Sequence, residues 1–110
     1  MRRVNEALRE VLSARLAEGL KDPRIGFVTV TGVETSPDLR HARVFVSVLG
    51  NKQERDDSLA GLQRAHGVLQ AEIARVTHMK RTPELKFVYD ETVERGMRIN
   101  ELIESEGRPE

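Results

Sequence analysis

From Ala42 to Val48 the chain alternates: Ala42, Val44, Val46 and Val48 fall on one side of an extended backbone, Arg43, Phe45 and Ser47 on the other. Successive side chains of a strand point to opposite faces, so this pattern predicts a sheet covered on one side only. Gly26 to Glu34, rich in Phe, Val and Thr, predicts a preceding strand. Between them Thr35-Ser36-Pro37-Asp38 is built from residues that favour bends. That link is too short for a crossover helix, so the two strands are expected to pair antiparallel. The layer that covers the apolar side has to come from elsewhere in the chain.

Helical periodicity supplies it. Val4, Leu8, Val11, Leu12, Leu16 and Leu20 recur at helical spacing, with Arg2, Arg3, Glu6, Arg9, Glu10 and Arg15 between them, up to Gly19 and Pro23. Gly50 to Asp57 is expected as a polar loop. From Ser58 to Thr77 the pattern returns through Leu62, Ala65, Leu69, Ile73 and Val76, interrupted by Gly61 and Gly67. Pro83 leads into a third strand, Glu84 to Tyr89, and Asp90 is placed to cap a last helix carrying Val93, Met97, Ile99, Leu102 and Ile103. The expected order is α-β-β-α(kinked)-β plus a C-terminal helix. It is an α+β fold, a three-stranded sheet with helices packed on one face. A length of 110 residues fits one domain, read as 1–104, with a short frayed tail at 105–110.

Apolar runs such as Val44-Phe45-Val46 are far shorter than the roughly 20 residues that cross a bilayer. The charged start, Met1 to Glu6, leads into an amphipathic pattern rather than an apolar signal segment. A soluble, cytoplasmic protein without membrane contact is expected. The net charge of zero conceals an asymmetry. Residues 1–89 hold fifteen Lys and Arg against eleven Asp and Glu; residues 90–110 hold three against seven. A mildly basic body with an acidic tail suits either an anionic partner or two solvated surfaces.

Candidates for catalysis are thin. There are no cysteines, so thiolate chemistry, disulfides and cysteine-rich zinc sites are excluded. His41, His66 and His78 form no i, i+4 pair. Asp22, Asp38 and Asp90 each sit where a turn or cap explains them, and no nucleophile elbow or phosphate-cradling glycine motif occurs. No enzyme, metal or cofactor is expected. Nucleic-acid binding has more support. Between Gln63 and Lys86 lie Arg64, Arg75, Lys80, Arg81 and Lys86 with His66 and His78, against only Glu72 and Glu84. Such a stretch fits phosphate contact, or an ordinary solvated helix face. The four aromatics, Phe27, Phe45, Phe87 and Tyr89, are all placed on strands, where core packing or base stacking could use them. They form no RNP signature, so contact through RNA backbone and shape is expected.

Ala65-His66-Gly67 interrupts the long helix. Glycine inside a helix costs about 1 kcal/mol relative to alanine. A break that restarts the helix exposes backbone N–H groups able to bind phosphate. Alternatively, Gly67 relieves crowding between helices. KH domains use a Gly-x-x-Gly loop between two helices to clamp nucleic-acid backbone; that motif is absent here.

Several motifs in order resemble the ribosome-binding factor A family, from about Arg3 to Leu102. They are Asp22-Pro23-Arg24-Ile25, the run Val30 to Leu39, Ala42-Arg43-Val44, Ala65-His66-Gly67, Thr82 to Phe87, and Gly96-Met97-Arg98-Ile99. The Ala-x-Gly kink of that family stands in for Gly-x-x-Gly. His41 and Arg81 stand where an aromatic residue is more usual, and Gly32 where a polar one is. The resemblance implies a type II KH-like fold and binding to the small ribosomal subunit through 16S rRNA. It also implies late subunit maturation including processing at the rRNA 5′ end, importance for growth in the cold, and action by binding without catalysis. A monomer when free is expected. The residues expected to meet RNA are Arg64, His66, Gly67, Lys80 and Arg81, then Arg2, Arg3 and Arg9, with Ala65 and Gly67 forming the kink. Arg24 is equally suited to a structural pair with an acid near its turn. The rival reading is a KH-like protein–protein adaptor without direct rRNA contact.

Overall fold

The computed structural model describes residues 2–92. The elements are α1 (Arg2–Glu18), β1 (Val28–Thr35), β2 (His41–Val48), α2 (Lys52–Arg64), α3 (His66–Thr77) and β3 (Glu84–Tyr89). The sheet runs β1-β2-β3, with β1 and β2 antiparallel as expected. β3 lies parallel to β2, with His41 opposite Glu84, because the two helices between them return the chain to the same end of the sheet.

The alternation of β2 is realised directly. Ala42, Val44, Val46 and Val48 are buried, and Val30, Val33, Leu85 and Phe87 join them from the flanking strands. Leu8, Val11 and Leu12 of α1, Leu62 of α2, and Leu69 and Ile73 of α3 cover that face. Complete burial of one such aliphatic side chain stabilises by about 1.5–3 kcal/mol, so these residues make the two layers one core. Arg43, Glu34, Glu84 and Lys86 point outward and are exposed.

Two boundaries differ from expectation. α2 begins at Lys52 within the expected polar loop, because Asn51 caps it. The Glu54 amide donates to Asn51 Oδ1 at 2.8 Å and the Asn51 amide to Glu54 Oε1 at 3.2 Å, a reciprocal capping box. Ser58 therefore lies inside the helix, buried, where its hydroxyl takes the Gly26 amide at 3.0 Å and pins the preceding loop. The first strand starts at Val28 and leaves Phe27 outside it; a bulge between Val30 and Gly32 shifts its register. Thr31 sits at that irregularity and its hydroxyl donates to Asp90 Oδ2 at 2.6 Å. Asp90 Oδ1 also accepts the Thr92 amide at 2.9 Å, where a helical turn begins. The last helix expected beyond it, and the tail at 105–110, lie outside the described residues.

The open edge of β3 is occupied by glutamines. Gln63 Nε2 donates to the Leu85 carbonyl at 3.1 Å while its Oε1 accepts the Phe87 amide at 3.3 Å, and Gln70 Nε2 donates to the Pro83 carbonyl at 2.8 Å. Unpaired strand edges invite pairing with other chains. Here two side chains satisfy three backbone groups along that edge and tie the helix pair to it.

Candidate nucleic-acid interface

The break in the long helix falls at Ala65, whose φ of −84° and ψ of 5° end α2 and open α3. Gly67 lies in the first turn of α3 with ordinary helical handedness, and a Cβ built there would meet nothing within 4 Å among the described residues. Crowding by the described helices is thus not what Gly67 relieves; among the described residues the space beside it is open. Of the two glycines in the helix pair, the crowded one is Gly61. A Cβ there would stand 2.6 Å from Ile25 Cγ1 and 3.2 Å from Asp22 Oδ2, so the loop Asp22–Ile25 presses on the last turns of α2. Helical spacing marked Gly61 only as an interruption, and nothing in the sequence pattern discloses this approach.

Among the described residues no side chain caps α3, so the amides of its first turn gain no side-chain acceptor there. Around this break stand the expected cations. Arg64 is half-exposed and reaches Asp22 Oδ2 at 3.5 Å, a surface pair of the kind worth about 0–1 kcal/mol and open to competition by a stronger anion. The His66 ring lies 2.8 Å from the Gln63 carbonyl through Nδ1. A carbonyl only accepts, so Nδ1 carries the proton and Nε2 is left for another partner. Arg15 and Lys21 line the same cleft as Arg64, Ala65 and Val68, two cations that the linear basic stretch did not include.

Lys80 and Arg81 are exposed in the loop before β3, and the bond from Gln70 to Pro83 ties that loop to the second turn of α3. Arg75 is committed to Glu72 at 2.6 Å. Arg9 pairs with Glu6 on the surface of α1. Each of these neighbours holds its carboxylate below the usual range, in both cases chiefly through the arginine hydrogen bond. Arg2 and Arg3 occupy the exposed first turn of α1, near the end of the sheet where the Thr35 amide donates to Asn5 Oδ1 at 3.0 Å. Arg24 makes no side-chain ion pair among the described residues; only its amide reaches Asp22, at 2.9 Å. Asp22 and Asp38 act as turn formers, Asp38 taking the Ser36 hydroxyl at 2.6 Å and the Arg40 amide at 3.1 Å. Among the described residues no group of three or more His, Asp and Glu is placed to hold a metal ion, and no helix is long and apolar enough to cross a membrane.

A family profile described as ribosome-binding factor A matches residues 1–103. The chain belongs to that family. A ribosome-binding factor A of Anaeromyxobacter dehalogenans is 57% identical over 102 residues, covering 92% of this chain and 74% of that protein. The crystal structure of ribosome-binding factor A from Thermus thermophilus superimposes with a TM-score of 0.68 at 30% identity, covering 79% of this chain and 92% of that one. Coordinates of the Thermus thermophilus protein fitted into a cryo-EM map of its complex with the 30S subunit match with a TM-score of 0.64, again at 30% identity, over 77% of this chain and 89% of that one. With its α-β-β-α-α-β order and helices on one face, this family member has the type II KH-like fold that the resemblance implied.

Proposed function

We propose that this protein binds the small ribosomal subunit through 16S rRNA and assists its late maturation, including processing at the rRNA 5′ end. It acts by binding, without catalysis or cofactor, as a cytoplasmic monomer that matters most for growth in the cold. The observation that carries this reading is the helix break: among the described residues, a helix start without a side-chain cap and with open space at Gly67, flanked by Arg64 and His66. Such a start offers amides and a positive dipole end to a phosphate, and the cations beside it add charge-assisted bonds. Arg64, His66, Gly67, Lys80 and Arg81 contact RNA backbone in this reading, with Arg2, Arg3 and Arg9 in supporting positions. The Thermus thermophilus relative fitted to a 30S complex gives the proposal its partner.

Co-sedimentation with purified small subunits across rising salt tests it. Binding should fall linearly in log–log form as salt rises, since phosphate contacts release counterions. Replacing Gly67 with leucine should weaken binding at unchanged fold. Binding indifferent to salt, or retained on ribosomal proteins stripped of RNA, would instead make the protein a KH-like adaptor.

A further inference from the structure

Phe27 and Leu49 are the two most exposed large apolar residues among those described, at 80% and 78%. They are neighbours, since the Leu49 amide donates to the Phe27 carbonyl at 3.0 Å just outside the paired strands. A cleft beside them is lined by Phe27, Thr29, Ser47, Leu49, Asn51 and Lys52. Lys52 opens α2, and Arg64 closes it twelve residues later. At 1.5 Å per residue the two ends lie about 18 Å apart. The Phe27 cleft is therefore a separate place from the helix break.

From this arrangement we infer that Phe27 is a stacking platform for one unpaired RNA base, a flanking phosphate of which is held by Lys52. The inference rests on the RNA-binding reading above and adds a second contact to it. An aromatic ring this exposed loses favourable burial and gains little from the described residues. Every base, however, has a face that stacks on such a ring. Charge favours the same occupant. Lys52 lines the cleft, is exposed and makes no ion pair among the described residues, while the nearby Glu54 carboxylate is held by the Asn51 backbone amide. Hydroxyls of Thr29 and Ser47 and the side-chain Nδ2 of Asn51 can meet base edges or a ribose 2′-OH. A protein partner fits less well. Two apolar side chains framed by a cation, hydroxyls and an amide fall well short of the apolar core of a stable protein interface.

The test uses the full chain with a twelve-nucleotide single-stranded RNA of mixed sequence and with purified small subunits. Phe27→Leu keeps the apolar bulk and removes the aromatic face; it should weaken binding about tenfold. Phe27→Trp should bind at least as tightly as the parent. Lys52→Ala should lower the salt slope on the single strand by about 0.7, the share of one lost phosphate. Ultraviolet cross-linking should place an adduct on residue 27, and that adduct should persist in Gly67→Leu. Phe27→Leu binding like the parent, or an absent adduct, overturns the inference while salt-dependent subunit binding by the parent leaves the main proposal intact. Loss of subunit binding by the parent itself would remove both. As Phe27 is exposed, thermal unfolding of each variant should match the parent, which separates lost contact from lost fold.

Discussion

Alanine at Gly61 and alanine at Gly67 should move stability in opposite directions, although both replace a glycine in the same pair of helices. At Gly61 the new methyl would lie 2.6 Å from Ile25 Cγ1 and 3.3 Å from Ile25 Cδ1. Ile25 is partly buried against the core, so it cannot swing away freely. Overpacking of this kind costs about 1–3 kcal/mol, and the gain in helix propensity returns about 1 kcal/mol of it. A net loss near 1 kcal/mol lowers the melting temperature by about 4 °C for a domain of this size. At Gly67 the methyl meets none of the described residues and enters a helical conformation, so the reduced freedom of the unfolded chain dominates, worth about 0.4–1 kcal/mol of added stability. That raises the melting temperature by about 2–4 °C. Urea and thermal unfolding of the three proteins, followed by circular dichroism, would measure the spread. Should Gly61→Ala prove as stable as Gly67→Ala, the packing of the Asp22–Ile25 loop on α2 is wrong.

Other outcomes follow from the bonds described. Gln63→Ala strips the acceptor and donor from the β3 edge and should cost about 1–3 kcal/mol in urea unfolding; a silent substitution would show that water satisfies that edge equally well. Asn51→Ala removes the cap of α2 and should cost about 1 kcal/mol, read as a lower urea midpoint at constant slope. The Asp90 carboxyl ionises below its ordinary range, held there first by the Thr31 hydroxyl and then by Thr92. A depressed folded pKa contributes stability that is present above the unfolded value and lost as pH falls through the folded one. The urea midpoint should thus drop on acidification below about pH 4, and Asp90→Asn should show a smaller drop. An identical acid profile in parent and variant would count against the Thr31–Asp90 contact.

The sheet and its covered face were legible because a two-residue period has one physical meaning: Val44 and Val46 must face the same way, and a core has to meet them. β3 and the start of the Asp90 turn were legible for similar reasons, Pro83 marking one and a capping carboxylate the other. The start of α2 was missed because polarity between Gly50 and Asp57 outweighed Asn51-x-x-Glu54, a capping-box signal present in the sequence. Phe27 was assigned to a strand by composition, yet the pairing ends at Val28 and leaves its ring outside. At the break, Ala65 and Gly67 could be named from spacing, but which glycine is crowded depends on where Ile25 lies. That is a contact across more than thirty residues, and no local pattern carries it. Likewise Arg15 and Lys21 join Arg64 only once the first helix and its loop are folded against the second.

The glutamine at the end of α2 has a thermodynamic consequence for any ligand at the break. Gln63 bonds to two backbone groups of β3, and its neighbour Arg64 leans on Asp22 from the other side. The last turn before Ala65 is held between a strand and a loop before a partner arrives. Ordering a flexible loop during binding subtracts from affinity, often by about 0.5–1.5 kcal/mol for each side chain immobilised. A clamp whose frame is already fixed by the sheet avoids most of that loss, so its affinity should be set by the contacts it makes and only weakly by temperature-dependent ordering of the clamp itself.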